Sequence, residues 1–287
     1  MNETTKETYI ISFMNMKGGV GKTTLCVNLA DAISRKFDKS VLLIDFDPQA
    51  NSTQYILKPE IYREIYDSEK TVYRIYKALI EDNNRISLVD GNANDDYEEC
   101  DEEDENIEDI IYKVSEKFHL IPGDLNMVKI GKIADVNIQM SLSRFIDRIK
   151  TKYDLIFIDC PPTHSIYTES ALIASDYYIL PIKPDYLSSI GMDLFQRIVK
   201  DHNSKSPFKR VKCLGIVFTM VHSIEYYRDT MNKIKERKKF SVFDSYMKFS
   251  PTVAKNTENN KFFLDIRGKK QEIIMLSSEM LRRIYNK

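Results

Sequence analysis

Cysteine and histidine are both scarce, at 4 each in 287 residues, and tryptophan is absent. Cys26, Cys100, Cys160 and Cys213 are scattered with no CxxC spacing and no paired histidines, so neither a zinc site nor an iron–sulfur site is indicated, and reduced thiols are expected. No apolar run approaches the roughly 20 residues needed to span a bilayer. The opening MNETTKETY is polar and lacks a signal-peptide core, so a cytoplasmic protein is expected. Repeats at solenoid spacing are also missing. What is present is enough apolar material for a core, 43% of residues, and one large α/β domain over residues 1–287 is the expectation.

Charge is nearly balanced overall, at −1, but unevenly placed. Residues 90–109 carry 12 acidic side chains and no Lys or Arg; such a stretch cannot bury a core and is expected to be mobile. Residues 201–287 hold 19 Lys and Arg against 9 Asp and Glu, a flank that can attract nucleic-acid phosphates.

The chain is organised around residues 15–24, NMKGGVGKTT, between the apolar run Tyr9–Met14 and a helix-like run beginning at Leu25. Strand, glycine loop and helix in that order form a phosphate-binding device. Gly18, Gly19 and Gly21 let the backbone curl so that N–H groups converge on an anion, and the helix starting near Thr23 adds its positive dipole end. Lys22 then neutralises the β- and γ-phosphates, and the Thr23 hydroxyl ligates Mg²⁺. The ordinary loop has glycine where this chain has Met16, and a second lysine, Lys17, follows.

Two further strands end in carboxylates. Val41–Ile44 leads into Asp45-Phe46-Asp47-Pro48-Gln49, and Leu155–Ile158 leads into Asp159-Cys160-Pro161-Pro162. Such aliphatic runs are expected to be buried parallel strands, whose C-terminal ends are where α/β sheets bind ligands. A carboxylate at the end of the second run can reach a Mg²⁺ shell opposite Thr23. His119 alternates with apolar neighbours and is expected to be structural, and Cys160 is expected to be a turn residue rather than a nucleophile. Helices are expected near 138–150, 168–175, 188–200 and 224–239, with an amphipathic one at 71–79 and strands at 118–121, 177–181 and 211–220. The alternation implies a mostly parallel twisted sheet with helices on both faces.

KGGVGKTT with its extra lysine resembles the deviant Walker A motif of the ParA/MinD family of P-loop ATPases; VLLIDFDPQAN is similar to that family's Walker A′ motif and DLIFIDCPP to its Walker B. The resemblance runs over residues 8–285 and implies ATP and Mg²⁺ as ligands. It places Lys17, Gly18, Gly19, Val20, Gly21, Lys22, Thr23 and Thr24 on the nucleotide, with Thr219 and Met220 near the base. Lys17 would reach the nucleotide of a partner subunit, so that ATP closes a homodimer. Lys17, Lys22 and Asp47 would be catalytic, Asp47 orienting the attacking water. Thr23 and Asp159 would hold the metal, with Asp45 supporting either the metal or the loop.

PIKPDYLSSIG and GIVFTMVHS look more like the ParA and Soj branch than like MinD. That branch implies plasmid or chromosome partition by a cytoplasmic protein that associates with the nucleoid when ATP-bound, and a ParB-like centromere-binding protein that stimulates hydrolysis. Non-specific double-stranded DNA would be held through phosphate contacts, by alignment at Lys209, Arg210, Arg237, Lys238 and Lys239. Phe249 and Thr252 stand where chromosomal members carry two arginines. No sizeable segment precedes the glycine loop, so the helix-turn-helix extension of larger plasmid relatives is not expected. Two alternatives share the same motifs: a MinD-like membrane-associated ATPase, since residues 272–284 have apolar residues at helical spacing and a basic tip, and an ATP-switched adaptor for another cargo. A helix packed on the sheet is the expectation for 272–284, and membrane association is not.

Overall fold

Alternation along the strands decides where the helices lie, because successive side chains of a strand point to opposite faces. In the computed structural model, which describes residues 7–77, 107–131, 136–205, 209–257 and 259–285, seven strands form one sheet. They are β1 (Tyr9–Phe13), β2 (Val41–Asp45), β3 (Tyr112–Lys113), β4 (Phe118–Ile121), β5 (Leu155–Asp159), β6 (Tyr177–Ile182) and β7 (Lys212–Phe218), in the order β3-β4-β2-β5-β1-β6-β7. All pairings are parallel except β3 with β4.

Ile10, Leu42, Ile44, Ile156 and Ile158 face one layer, while Ile11, Phe13, Leu43, Leu155 and Phe157 face the other. Every residue of β2 and of β5 is buried, as strands covered on both faces must be. The second layer is built by α1 (Lys22–Lys36), through Leu25, Leu29 and Ile33, and by the short helix α2 (Asn51–Ile56), through Tyr55 and Ile56. The first layer is built by α3 (Val136–Ile149), α4 (Ile166–Ala174) and α5 (Tyr186–Lys205), through Leu142, Phe145, Leu172 and Phe195. Helix α6 (Glu225–Glu236) adds Ile234 to that layer, and α7 (Lys270–Tyr285) closes the other with Ile273, Leu276, Met280 and Ile284.

The C-terminal helix is therefore packed on the sheet, as expected from its sequence. Its basic tip is also engaged: Arg283 lies 4.0 Å over the Phe243 ring and donates to the carbonyls of Leu214 and Val242. Among the described residues no helix is long and apolar enough to cross a membrane.

The expected strands and helices appear within a few residues of their anticipated ends. The antiparallel edge strand β3 was not anticipated. Of the helix expected at 71–79, residues 74–77 are helical and 78–79 lie outside the described residues. Most of the acidic stretch, residues 90–106, also lies outside them, while its end enters a short 3-10 turn, Ile107–Ile110, that puts Ile110 in the core.

Candidate nucleotide site

β1 lies inside the sheet, with β5 on one side and β6 on the other, so the loop leaving it opens where the connections diverge. That loop reaches α1 through Gly19 and Gly21, whose φ values of 69° and 80° are left-handed conformations that glycine adopts without the roughly 1–2 kcal/mol penalty of other residues. Gly21 is the N-cap of α1 and no side chain caps that helix, so its first N–H groups face the loop. Both flanks are tied down. Lys17 N–H donates to Asn15 Oδ1 at 2.8 Å while Asn15 Nδ2 donates to the Pro181 carbonyl at 2.6 Å; on the far side Thr219 Oγ1 donates to the Val20 carbonyl at 2.5 Å. Thr219 and Met220 thus meet the loop at Gly21, with Met220 itself at φ 51°.

Asp45 and Asp159 end adjacent parallel strands and are register partners. Asp159 Oδ2 accepts hydrogen bonds from Thr23 Oγ1 at 2.7 Å and from Ser52 Oγ at 2.8 Å, while its Oδ1, fully buried, has no hydrogen-bond partner. Burial raises the Asp159 carboxyl above its usual range, opposed by the buried Lys22 charge and the two hydroxyls. An unpartnered buried carboxylate oxygen beside a threonine hydroxyl is a donor set suited to a hard cation such as Mg²⁺. Thr23 and Asp159 therefore fit the metal role assigned to them.

Asp45 is differently placed. Its Oδ2 accepts from the Thr53 N–H at 2.8 Å and from Thr53 Oγ1 at 2.7 Å, and burial, with Asp159 alongside, pushes its carboxyl up to about 8. A longer bond, 3.4 Å, runs from the Asp47 N–H to its Oδ1, so its described bonds hold both the turn at Asp47 and the start of α2. The Thr53 hydroxyl in turn accepts from the Gly123 N–H at 2.7 Å. Gly123 must be glycine for want of room: a Cβ there would lie 2.9 Å from the Asp45 carboxylate carbon and 3.0 Å from the Ala50 Cα. Asp47 is buried in the turn between, its Oδ1 accepting from the Gln49 N–H at 2.9 Å.

Beside Gly21 and Thr24 opens a cavity of about 580 Å³, walled by Gln54, Tyr55, Met220, Phe249 and Pro251 among others. Its size is ordinary for a small-molecule site. The wall at 249–251 was not anticipated, and Phe249 stacks on His222 at 4.3 Å. Lys269 braces this wall from beneath, buried and donating to the Lys248 carbonyl and to Glu272.

Lys17 does not reach into its own loop. Its Nζ lies 2.6 Å from Asp185 Oδ2, and Asp185 Oδ1 accepts from the N–H and the hydroxyl of Ser188 at 2.9 and 2.8 Å. These contacts hold the Asp185 carboxyl below its usual range although burial opposes them.

Three of the five basic candidates sit on acidic partners. Lys209 pairs with Asp176 at 2.6 Å, beside Arg210. Lys239 and Arg237 share Asp193 on α5, at 2.7 and 3.9 Å, with Lys238 between them at φ 48°.

His119 is a partly buried structural residue bonded to the Tyr153 hydroxyl at 2.8 Å, as expected. Burial pushes the thiols of Cys26 and Cys160 well up, which suits inert side chains; Cys100 lies outside the described residues.

Sequence reasoning missed Asn15, Ser52, Gly123 and Asp185. A signal existed for Ser52: with Thr53 it places two hydroxyls directly after the DFDPQAN turn.

Residues 8–209 match the AAA domain family. An uncharacterized protein of Methanocaldococcus jannaschii is 31% identical over 212 residues, 73% of this chain and 72% of that one. The sporulation initiation inhibitor protein Soj of Bacillus subtilis is 32% identical over 193 residues, 67% of this chain and 64% of Soj. Among solved structures, a putative plasmid partition protein of Borrelia burgdorferi bound to AMPPNP superposes with a TM-score of 0.71 at 24% identity, covering 98% of this chain and 99% of that one. The last likeness bears on the fold.

Proposed function

Because the chain belongs to the ParA/Soj-type partition ATPases, we propose that it is an ATP-hydrolysing switch that dimerises on ATP, rides on non-specific double-stranded DNA in that state, and is reset by a ParB-like partner. The observation that carries the catalytic part is the cluster of Lys22, Thr23 and Asp159 below the uncapped start of α1, with one Asp159 oxygen left unpartnered. Backbone N–H groups of Gly18 to Gly21 cradle the phosphates and Lys22 neutralises charge on the transferring phosphoryl. Bound through Thr23 and Asp159, Mg²⁺ would supply further neutralisation of the β- and γ-phosphate oxygens. Asp47, on the neighbouring turn, orients the water. Positioning and fixed charge carry such chemistry, and no covalent intermediate is needed. Thr24 and the cavity beside Met220 receive the nucleoside.

Lys17 acts in trans. Its resting place on Asp185 supports this, because the side chain is held away from its own loop until a second nucleotide offers a stronger counter-charge. DNA binding draws on Lys209, Arg210, Arg237, Lys238 and Lys239, and follows phosphates rather than base sequence. The protein is then cytoplasmic and nucleoid-associated in its ATP state.

The experiment is ATP hydrolysis with and without Mg²⁺, together with co-sedimentation on non-specific DNA and on anionic liposomes, each with ATP, ADP or no nucleotide. Mg²⁺-dependent turnover, lost in Asp47→Ala while ATP binding survives and lost with binding in Lys22→Ala, is expected. So is salt-sensitive DNA binding with ATP only. Liposome binding with ATP and none to DNA would move the protein to the membrane-associated alternative. Normal turnover in Asp47→Ala would remove the water-orienting assignment.

A further inference from the structure

We infer that Ser52 is a positioning residue for the metal: its hydroxyl fixes the Asp159 carboxylate so that Oδ1 is presented to the cation, and it joins the α2 turn to the metal site. The inference rests on the reading of Asp159 as the Mg²⁺ carboxylate.

A carboxylate has two equivalent oxygens, and its orientation is set by which of them is occupied. Two hydroxyls converge on Oδ2 of Asp159, from Thr23 at 2.7 Å and Ser52 at 2.8 Å, and none on Oδ1. With Thr23 alone, the carboxylate keeps one anchor, on the residue that also serves the metal. Ser52 adds an anchor from a different element. It is itself fully buried, in the first turn of α2, and so cannot trade this bond for one to bulk water.

The neighbouring residue shows that the arrangement is built into the turn. Thr53 makes the corresponding bond to Asp45, the register partner of Asp159 on the next strand. Two consecutive hydroxyls of α2 thus clasp two adjacent strand ends, and the segment they begin follows directly on the turn carrying Asp47. Hydrogen bonds of this kind behind a metal ligand are commonly worth about 10- to 100-fold in metal affinity.

The test uses the full chain and a fluorescent ADP analogue. Its affinity is measured in Mg²⁺ and in EDTA, and the ratio of the two is compared among the wild type, Ser52→Ala, Ser52→Thr and Asp159→Asn. Mn²⁺ binding in the presence of ADP, followed by electron paramagnetic resonance, provides a readout independent of turnover. Ser52→Ala is expected to lower the Mg²⁺/EDTA ratio and the Mn²⁺ affinity about 10-fold, and Ser52→Thr, which keeps the hydroxyl, to stay within about 3-fold of wild type. An unchanged ratio and Mn²⁺ affinity in Ser52→Ala, or an equal loss in Ser52→Thr, would overturn the role of the hydroxyl. If Asp159→Asn keeps the wild-type ratio, the failure lies instead with the metal reading on which the inference rests.

Discussion

Replacing Asp185 by Asn should tighten the ATP-dependent dimer. Lys17 now rests on Asp185 at 2.6 Å, with side chains 35% and 23% exposed, so water screens the pair and it is worth about 0.5–1 kcal/mol. If Lys17 must leave this carboxylate to reach the nucleotide of the other subunit, a symmetric dimer breaks two such pairs, a cost of about 1–2 kcal/mol. Asparagine removes the charge yet keeps an oxygen for Ser188, so the start of α5 stays anchored. The dimer dissociation constant should then fall about 5- to 30-fold. Sedimentation velocity with ATP, in an Asp47→Ala background that suppresses turnover, measures it. The gain should shrink in high salt, which already weakens the pair. A weaker dimer in Asp185→Asn refutes the reasoning, for it would mean that the carboxylate serves Lys17 within the dimer rather than competing for it.

The remaining predictions concern pH, packing and DNA. Burial pushes the Asp31 carboxyl on α1 up to about 6, despite Arg35 nearby, so the folded state holds that proton more tightly than the unfolded chain does. Its contribution is full below about pH 4 and is lost as pH rises through 6, an effect of order 3 kcal/mol. Asp31→Asn should accordingly raise the melting temperature far more at pH 8 than at pH 4.5; equal shifts at both would refute the linkage. Gly123→Ala forces a methyl against Asp45 and Ala50, and should cost about 1–3 kcal/mol in thermal unfolding and slow hydrolysis. Full activity with unchanged stability would show that the Asp47 turn yields easily. Lys238→Glu should weaken ATP-dependent DNA binding and reduce the salt slope by about 1, whereas Asp193→Asn, which frees Arg237 and Lys239, should strengthen binding in the same gel-shift series. If neither substitution moves the affinity, this group has no part in holding DNA.

What could be seen in the sequence was what periodicity and local chemistry record. The strands ending at Phe13, Asp45 and Asp159 announced themselves as aliphatic runs closing on a glycine loop or a carboxylate, and the sheet follows from them. β3 left no such trace, because two residues, Tyr112 and Lys113, become a strand only by pairing with β4. Long-range partners were equally hidden. Asp185 is 168 positions from Lys17 and Ser52 is 107 from Asp159, and nothing local in either residue specifies the other. In the basic flank, too, the partners lie far off in sequence: Lys209 pairs with Asp176, and Arg237 and Lys239 with Asp193.

The register pairing of Asp45 with Asp159 sets a fixed gauge at the centre of the molecule. Neighbouring strands are held about 4.8 Å apart by backbone hydrogen bonds, a spacing that side-chain substitution barely alters. The offset between Asp159 and the root of the turn that carries Asp47 is therefore dictated by the hydrogen-bonded frame of the sheet. The arc from Phe46 to Ala50 hangs from that frame, with Phe46, Asp47 and Ala50 buried and Ala50 at φ 50°.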